Sequence, residues 1–373
     1  MLPSGGRTAR ICLRCRHWGI ACAAAIPGTL QAGAALDTVE LFNSAAPAVV
    51  RVVIAEEPDE KGLVTKWAFS GCFIDEEGRV VTNSASGAPI SRIWVEKDGL
   101  SYLAELIGSD PQTNIALIQL IKLPEDFGTL SLDDTRARAP VGTPVMRISS
   151  PLELDPSPAL GLITGHESSL PSSVFPFTYT RINLPAGPGD GGAPVVNESG
   201  QLVGITVASV PEISSSYLVP ASALKRIVSD LQNTGRVSYG SLPIQFGERA
   251  DPTNVARQVV VLSVEPDSTA SRADVRPGDI VRRIGSTSVR RINDVRDELF
   301  AARPGQFITL EVERNGKRIP FALPVDEQPI EAATRSATAP VAGPVKDGKS
   351  SGTPEEPSKL QPPTRPAELE YRP

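Results

Sequence analysis

Strand-like apolar runs of three to eight residues recur at short intervals through the first half of the chain: 67–74, 80–82, 93–96, 103–107, 115–120, 145–148 and 161–165. Gly, Pro, Asn and Asp cluster between them. Runs this short, punctuated this way, predict β-strands of antiparallel barrels or sandwiches. The pattern changes at 221–234, where Leu224, Ile227, Val228 and Leu231 recur at helical spacing and Gly235 supplies a stop. That stretch predicts a helix whose apolar stripe packs on the barrel. From residue 327 onward apolar periodicity ends, and Pro340, Pro344, Pro354, Pro357, Pro362, Pro363, Pro366 and Pro373 stand among Ala, Ser, Thr, Lys and Glu. Such a segment buries too little apolar surface to offset its ordering entropy, so a disordered tail or spacer is expected over 327–373.

The N-terminal stretch has a different pattern. Arg7, Arg10, Arg14 and Arg16 precede the apolar run 18–26, and small residues surround Ala34. These are the three regions of a secretory signal over 1–34, implying a secreted or periplasmic mature protein. The run is shorter than the roughly 20 residues a bilayer span needs. An uncleaved anchor, a transit peptide or a misassigned start remain open readings, as does a lipoprotein role for Cys22, although Gly19-Ile20-Ala21 is a poor acylation context. Of four cysteines, Cys12, Cys15 and Cys22 fall in this leader, which leaves Cys72 alone as a small buried residue. The length of 373 residues suffices for two or three domains, and 35 prolines signal many loops. Net charge is −6, and more negative without the leader's arginines, which argues against nucleic acid as a partner. The mature sequence carries no metal-ligand spacing and no cofactor fingerprint, so neither metal nor cofactor is expected.

Four segments carry candidate chemistry. Pro188-Gly189-Asp190-Gly191-Gly192-Ala193-Pro194 resembles the P-G-N-S-G-G-P nucleophile loop of trypsin-like serine proteases. Ser70-Gly71-Cys72-Phe73-Ile74 and Gly78-Arg79-Val80-Val81-Thr82-Asn83-Ser84-Ala85 resemble the S-G-x-x-I and G-x-x-x-T-N-x-H segments of the HtrA (Deg) family. Gly108-Ser109-Asp110-Pro111-Gln112-Thr113-Asn114 resembles that family's G-x-D-x-x-T-D, and Gly200-Gln201-Leu202-Val203-Gly204 with Leu218-Val219-Pro220 resembles its closing strands. The resemblance implies a mainly β fold, a trypsin-like double β-barrel over 35–235, opened by a short helix at 38–43 and a strand at 46–54. The second barrel would close through 178–183, 193–196, 202–208 and 217–219.

The same resemblance assigns the triad positions to Ala85, Asn114 and Gly191. Serine-protease chemistry needs an oxygen nucleophile, an imidazole base and an orienting carboxylate. None of these three side chains supplies one, so no peptidase activity is expected from those positions. The oxyanion-hole amides implied at Gly189 and Gly191 need no side chain, although Asp190 would place a negative charge beside them. Gly191 and Gly192 are also open to a plainer reading, a turn that needs positive φ. His166, after the 161–164 strand, matches no triad position and reads as a surface or loop histidine.

A second module follows at 236–326. The run Val259-Val260-Val261-Leu262-Ser263-Val264 and the turn Arg276-Pro277-Gly278-Asp279 resemble the PDZ domains of HtrA proteases, which are α+β. The groove helix would cover 292–300, with Asn293 as N-cap and Val295 and Leu299 one turn apart. Strands at 307–312 and 318–323 would close the module. A PDZ domain adds an extended peptide as a strand and cradles its terminal carboxylate on loop amides. Here the family's Φ-G-Φ cradle appears as Leu242-Pro243-Ile244, and proline has no N–H to give. Weaker recognition of free C-termini, or a shift to internal segments, is expected unless neighbouring amides suffice.

The expected function is a pseudoprotease that acts as a peptide- or protein-binding adaptor or chaperone-like factor in protein quality control. Its partners would be polypeptide segments or C-termini, held in the PDZ groove and in a cleft at 184–186 and 205–208, and a homo-trimer or a mixed oligomer with active HtrA relatives. Two alternatives stay open: an unconventional peptidase using Ser84, Ser86 or His166, and a purely structural assembly subunit.

Overall fold

The computed structural model describes residues 37–60, 62–85, 89–132, 138–170, 173–250, 257–328 and 343–344. The leader, Ser86 and nearly all of the Pro-rich tail lie outside the described residues.

Helix α1 (Thr38–Ala45) leads into a first barrel built from β1 (Val49–Glu56), β2 (Lys66–Phe73), β3 (Arg79–Asn83), β4 (Ile90–Lys97), β5 (Leu100–Asp110) and β6 (Ile115–Leu120). Antiparallel pairing runs β1-β4-β5-β6-β3-β2, and β2 pairs back to β1, which closes the sheet. Alternation along β1 sends Val50, Val52 and Ile54 into a core shared with Phe69, Phe73, Val95 and Ile118. A second closed barrel holds β7 (Pro144–Ser149), β8 (Ser157–Leu170), β9 (Ser173–Ile182), β10 (Pro194–Asn197), β11 (Leu202–Val210) and β12 (Ser215–Pro220), paired in the order β10-β11-β12-β9-β8-β7. Its core contains Val145, Ile163, Ile182, Leu184, Val195 and Leu218. The trypsin-like double barrel expected from the sequence is the observed fold.

Helix α2 (Ala221–Thr234) has the expected bounds and buries Leu224, Ile227, Val228 and Leu231. It packs on strands of both barrels, and Gly235 N–H donates to Leu231 O at 2.8 Å to end it.

The PDZ domain comprises β13 (Gly240–Ser241), β14 (Ile244–Ala250), β15 (Arg257–Val264), α3 (Thr269–Arg272), β16 (Ile280–Ile284), β17 (Thr287–Ser288), α4 (Ile292–Ala301), β18 (Phe307–Arg314), β19 (Lys317–Pro324) and β20 (Asp326–Glu327). Its sheet runs β14-β15-β16-β18-β19, so β14 is an edge strand. Asp326 and Glu327 pair with Ser241 and Gly240, and Gln328 N–H donates to Tyr239 O, so order extends past the 326 boundary. Within the tail, β21 (Gly343–Pro344) pairs with Ala68 and Trp67. β3 pairs with β2 only at Gly71 to Phe73, which leaves the edge at Trp67 and Ala68 for this strand.

Helix α4 departs from expectation at its start. The residue before it is Arg291, and the Asp294 carboxylate accepts from the amides of Arg290 at 2.7 Å and Arg291 at 2.9 Å. Asn293 therefore lies inside the helix and is not its N-cap; its Oδ1 accepts from Ser168 Oγ at 2.6 Å. That bond is part of a polar seam fixing α4 to the second barrel. Asp297 accepts from Thr178 N–H at 2.8 Å and pairs with Arg138 at 2.9 Å, and Arg296 donates to Ser168 O at 2.7 Å. Phe300 closes the seam against Phe177, with ring centroids 4.3 Å apart.

Candidate functional site

The loop 187–193 crosses from the second barrel to the first and is held from both sides. Gly192 N–H donates to Thr206 O at 2.8 Å, and Ser70 N–H donates to Gly191 O at 2.8 Å. Ser70 Oγ donates to Gly189 O at 2.8 Å while accepting from Ser150 N–H at 2.9 Å. The Ser70-Gly71 pair of the sequence motif thus anchors the loop. Positive φ falls on Gly189 (+90°) and Gly192 (+82°) and not on Gly191. A Cβ on Gly192 would lie 2.1 Å from Ser70 O and 3.0 Å from Asn83 N, so this glycine is demanded by contact as well as by φ. Gly191 is under no such backbone constraint.

Among the described residues, the N–H groups of Gly189 and Gly191 donate to no protein acceptor. Two unspent amides, on either side of Asp190 in a fixed turn, are the kind of donor a developing oxyanion requires. Asp190 does not oppose them as expected. Its Oδ2 accepts from Gly187 N–H at 2.9 Å and pairs with Arg147 Nη2 at 3.1 Å, both side chains being nearly buried. Burial lowers the Arg147 pKa, and the Asp190 charge works against that shift. The carboxylate is neutralised beneath the loop, and Arg147 Nη1 also donates to Pro185 O at 3.0 Å.

Asn114 has φ +60°. Its Oδ1 accepts from Ser84 Oγ at 3.0 Å and its Nδ2 donates to Val207 O at 3.1 Å, which ties the first barrel to β11. The preceding turn is fixed by Asp110, which accepts from Thr113 N–H at 3.1 Å and from the Thr113 and Tyr239 hydroxyls at 2.5 Å each. Burial raises the Asp110 pKa. Ala85 is half-buried and packs against the first-barrel core. Asn83, fully buried beside Gly192, has no hydrogen-bond partner for either side-chain atom among the described residues.

His166 sits in β8 and not in a loop. Its Nε2 lies 3.1 Å from Ala139 O and its Nδ1 3.4 Å from Thr180 Oγ1, and burial is the main cause of its lowered pKa. It contacts none of positions 85, 114 or 191. Cys72 is free and buried, with its thiol pushed up to about 12 by desolvation. Residues Ile205, Thr206, Val207 and Ala208 of the expected cleft are all buried, so a chain lying there would meet backbone edges and not open side-chain pockets. A cavity of about 860 Å³ lies elsewhere, between α1, the β4–β5 turn and the 150–156 loop.

In the PDZ domain, Leu242, Ile244 and Val295 belong to the hydrophobic core, with Leu299 partly buried against them. Val295 is only 1% exposed, so of the expected helix pair Leu299 alone is left at the groove. At the cradle, Ile244 N–H donates to Leu242 O at 2.7 Å across Pro243. This three-residue turn consumes an amide in addition to the one proline lacks. Sequence reasoning identified Pro243 but had no signal for the turn.

Residues 69–205 match the family described as trypsin-like peptidase domain, and residues 240–325 match the PDZ domain. The chain is 28% identical over 272 residues to a probable periplasmic serine endoprotease DegP-like from Halomonas elongata, covering 70% of this chain and 56% of the relative. It is 26% identical over 263 residues to periplasmic serine endoprotease DegP from Escherichia coli, covering 67% and 55%. It therefore spans just over half the length of these curated relatives. Among solved structures, HtrA-type protease AlgW with tripeptide superposes with a TM-score of 0.65 at 21% identity, covering 79% of this chain and 98% of that one.

These matches correct one expectation. The relatives are named serine endoproteases, so the conclusion that this chain is no enzyme does not stand: substitution at three positions assigned by resemblance does not demonstrate inactivity. Beside those positions the Ser84 hydroxyl hydrogen-bonds Asn114, and among the described residues the Gly189 and Gly191 amides donate to no protein acceptor. With its peptidase barrels followed by a PDZ domain and its matches to DegP and AlgW, the chain belongs to the HtrA family.

Proposed function

We propose that this protein is a periplasmic HtrA-type protein that binds extended polypeptides through its PDZ domain and cleaves them slowly by an unconventional serine-type reaction. The observation that carries the reading is the 187–193 loop, with the Gly189 and Gly191 amides unspent and the Asp190 charge neutralised by Arg147. In this scheme Ser84 Oγ attacks the scissile carbonyl, its proton passes to solvent hydroxide, and the amides of Gly189 and Gly191 take the oxyanion. The tetrahedral adduct then expels the amine, which takes a proton from water, and solvent hydroxide attacks the resulting Ser84 ester to release the acid and restore the hydroxyl. Asn114 orients Ser84 but is no base, so the roughly hundredfold to ten-thousandfold contribution of general base catalysis is missing. Slow turnover makes holding of bound chains part of the same activity.

The periplasmic setting draws support from the names of the relatives. Among the described residues no helix is long and apolar enough to cross a membrane. Binding is tested by hydrogen exchange on the full chain with and without reduced, unfolded casein. Slowed exchange over 244–250, where edge strand β14 would gain a partner, supports the reading; unchanged exchange across both domains contradicts it.

A further inference from the structure

The geometry points to an acidic internal segment of polypeptide as the preferred occupant of the PDZ groove. The inference rests on the reading that β14 takes an extended chain, and concerns which chain it selects. The groove between β14 and α4 has two distinct ends. A Cβ on Gly240 would lie 2.7 Å from Leu299 O, which places the Leu242 loop at the C-terminal end of α4. At the other end Glu248 Oε1 accepts from Ile292 N–H at 2.9 Å, which joins β14 to the start of α4.

At the first end, Pro243 has no N–H and the Ile244 amide is spent on Leu242 O, so charge readout of a terminal carboxylate is weak there. At the second end, positive charge is exposed. Arg290 and Arg291 are exposed, and among the described residues neither guanidinium pairs with a carboxylate. Asp294 is committed to their backbone amides, and Glu248 to Ile292 N–H, with Arg257 Nη1 a further 3.6 Å from Glu248. Arg257 is exposed as well. Three arginines thus face two carboxylates that are already hydrogen-bonded. The seam from Asn293, Arg296 and Asp297 to the second barrel keeps α4 from moving away, so the cationic end stays fixed relative to β14. A strand added antiparallel to β14 presents its N-terminal residues to this end, and acidic side chains there meet the arginines.

The test is fluorescence anisotropy with the full chain and three labelled peptides, all blocked at both termini. They share one apolar segment, preceded by Asp-Glu, Asn-Gln or Lys-Lys. The acidic peptide is expected to bind about three- to tenfold tighter than the neutral one at low salt, the scale of two or three exposed charge pairs, and to lose that advantage at high salt. The R290A/R291A double variant should bind all three alike, and R290E/R291E should favour the Lys-Lys peptide. Equal affinities for the three peptides on the unaltered chain overturn the inference and leave strand addition standing. If no peptide and no unfolded casein binds, strand addition itself fails and the inference with it.

Discussion

Asn114 shows how much a single amide contributes to the site. Both ends of its side chain are engaged, the oxygen by Ser84 and the nitrogen by Val207 O, and its left-handed backbone suits Asn and Asp alike. Asn114→Asp therefore tests the hydrogen bond without a backbone penalty. A carboxylate facing the Val207 carbonyl has nothing to donate, and the expected destabilisation is about 1–3 kcal/mol in urea unfolding at neutral pH. The loss should shrink in acid, where the protonated side chain can donate again. An unchanged midpoint would mean that the Val207 contact contributes nothing. The sequence singled out position 114 only by resemblance, and its bond to β11 was not legible, because it joins residues far apart in the chain. The Arg147–Asp190 pair was hidden for the same reason: sequence showed an acid beside the loop but not the guanidinium beneath it.

At the scale of elements, strands and helices were read well where apolar spacing decides them. Helix α2 has the bounds its periodicity predicted, and the barrel strands fall on the expected runs, extended at their ends by polar residues that pair without packing. The misreadings concern local hydrogen bonding. Asn293 was expected as the N-cap, whereas Arg291 holds that place and Asp294, in the first turn, accepts from the amides of the entering chain. Likewise, Pro243 announced a lost donor, while the turn that also consumes the Ile244 amide depends on how Leu242 and Ile244 enter the core. Pro243→Gly should relax this turn and restore an N–H. A gain of about tenfold or more in affinity for a peptide with a free C-terminus over its amidated form is expected, comparable to one hydrogen bond to a charged group. No gain in isothermal titration would show that the cradle is not what limits carboxylate binding.

Across the whole molecule, two closed barrels and a PDZ domain are joined by hydrogen bonds that cross domain boundaries. Tyr239 reaches Asp110 of the first barrel, and the α4 seam reaches β8 and β9 of the second. The sequence motifs were enough to order the domains and to place the loop at 187–193, because those motifs are turns with fixed glycine and proline positions. They could not decide activity, because three side-chain identities say nothing about a hydroxyl one position away. The account stands on the claim that this scaffold still turns over polypeptide through Ser84. The most direct measurement is release of peptides from reduced, unfolded casein, followed by mass spectrometry, for the full chain and for Ser84→Ala. The account predicts slow cleavage that rises with pH, as expected for an alcohol without an imidazole base, and that Ser84→Ala abolishes while casein binding persists. No cleavage above a casein-only control, or cleavage that Ser84→Ala leaves unchanged, would contradict it.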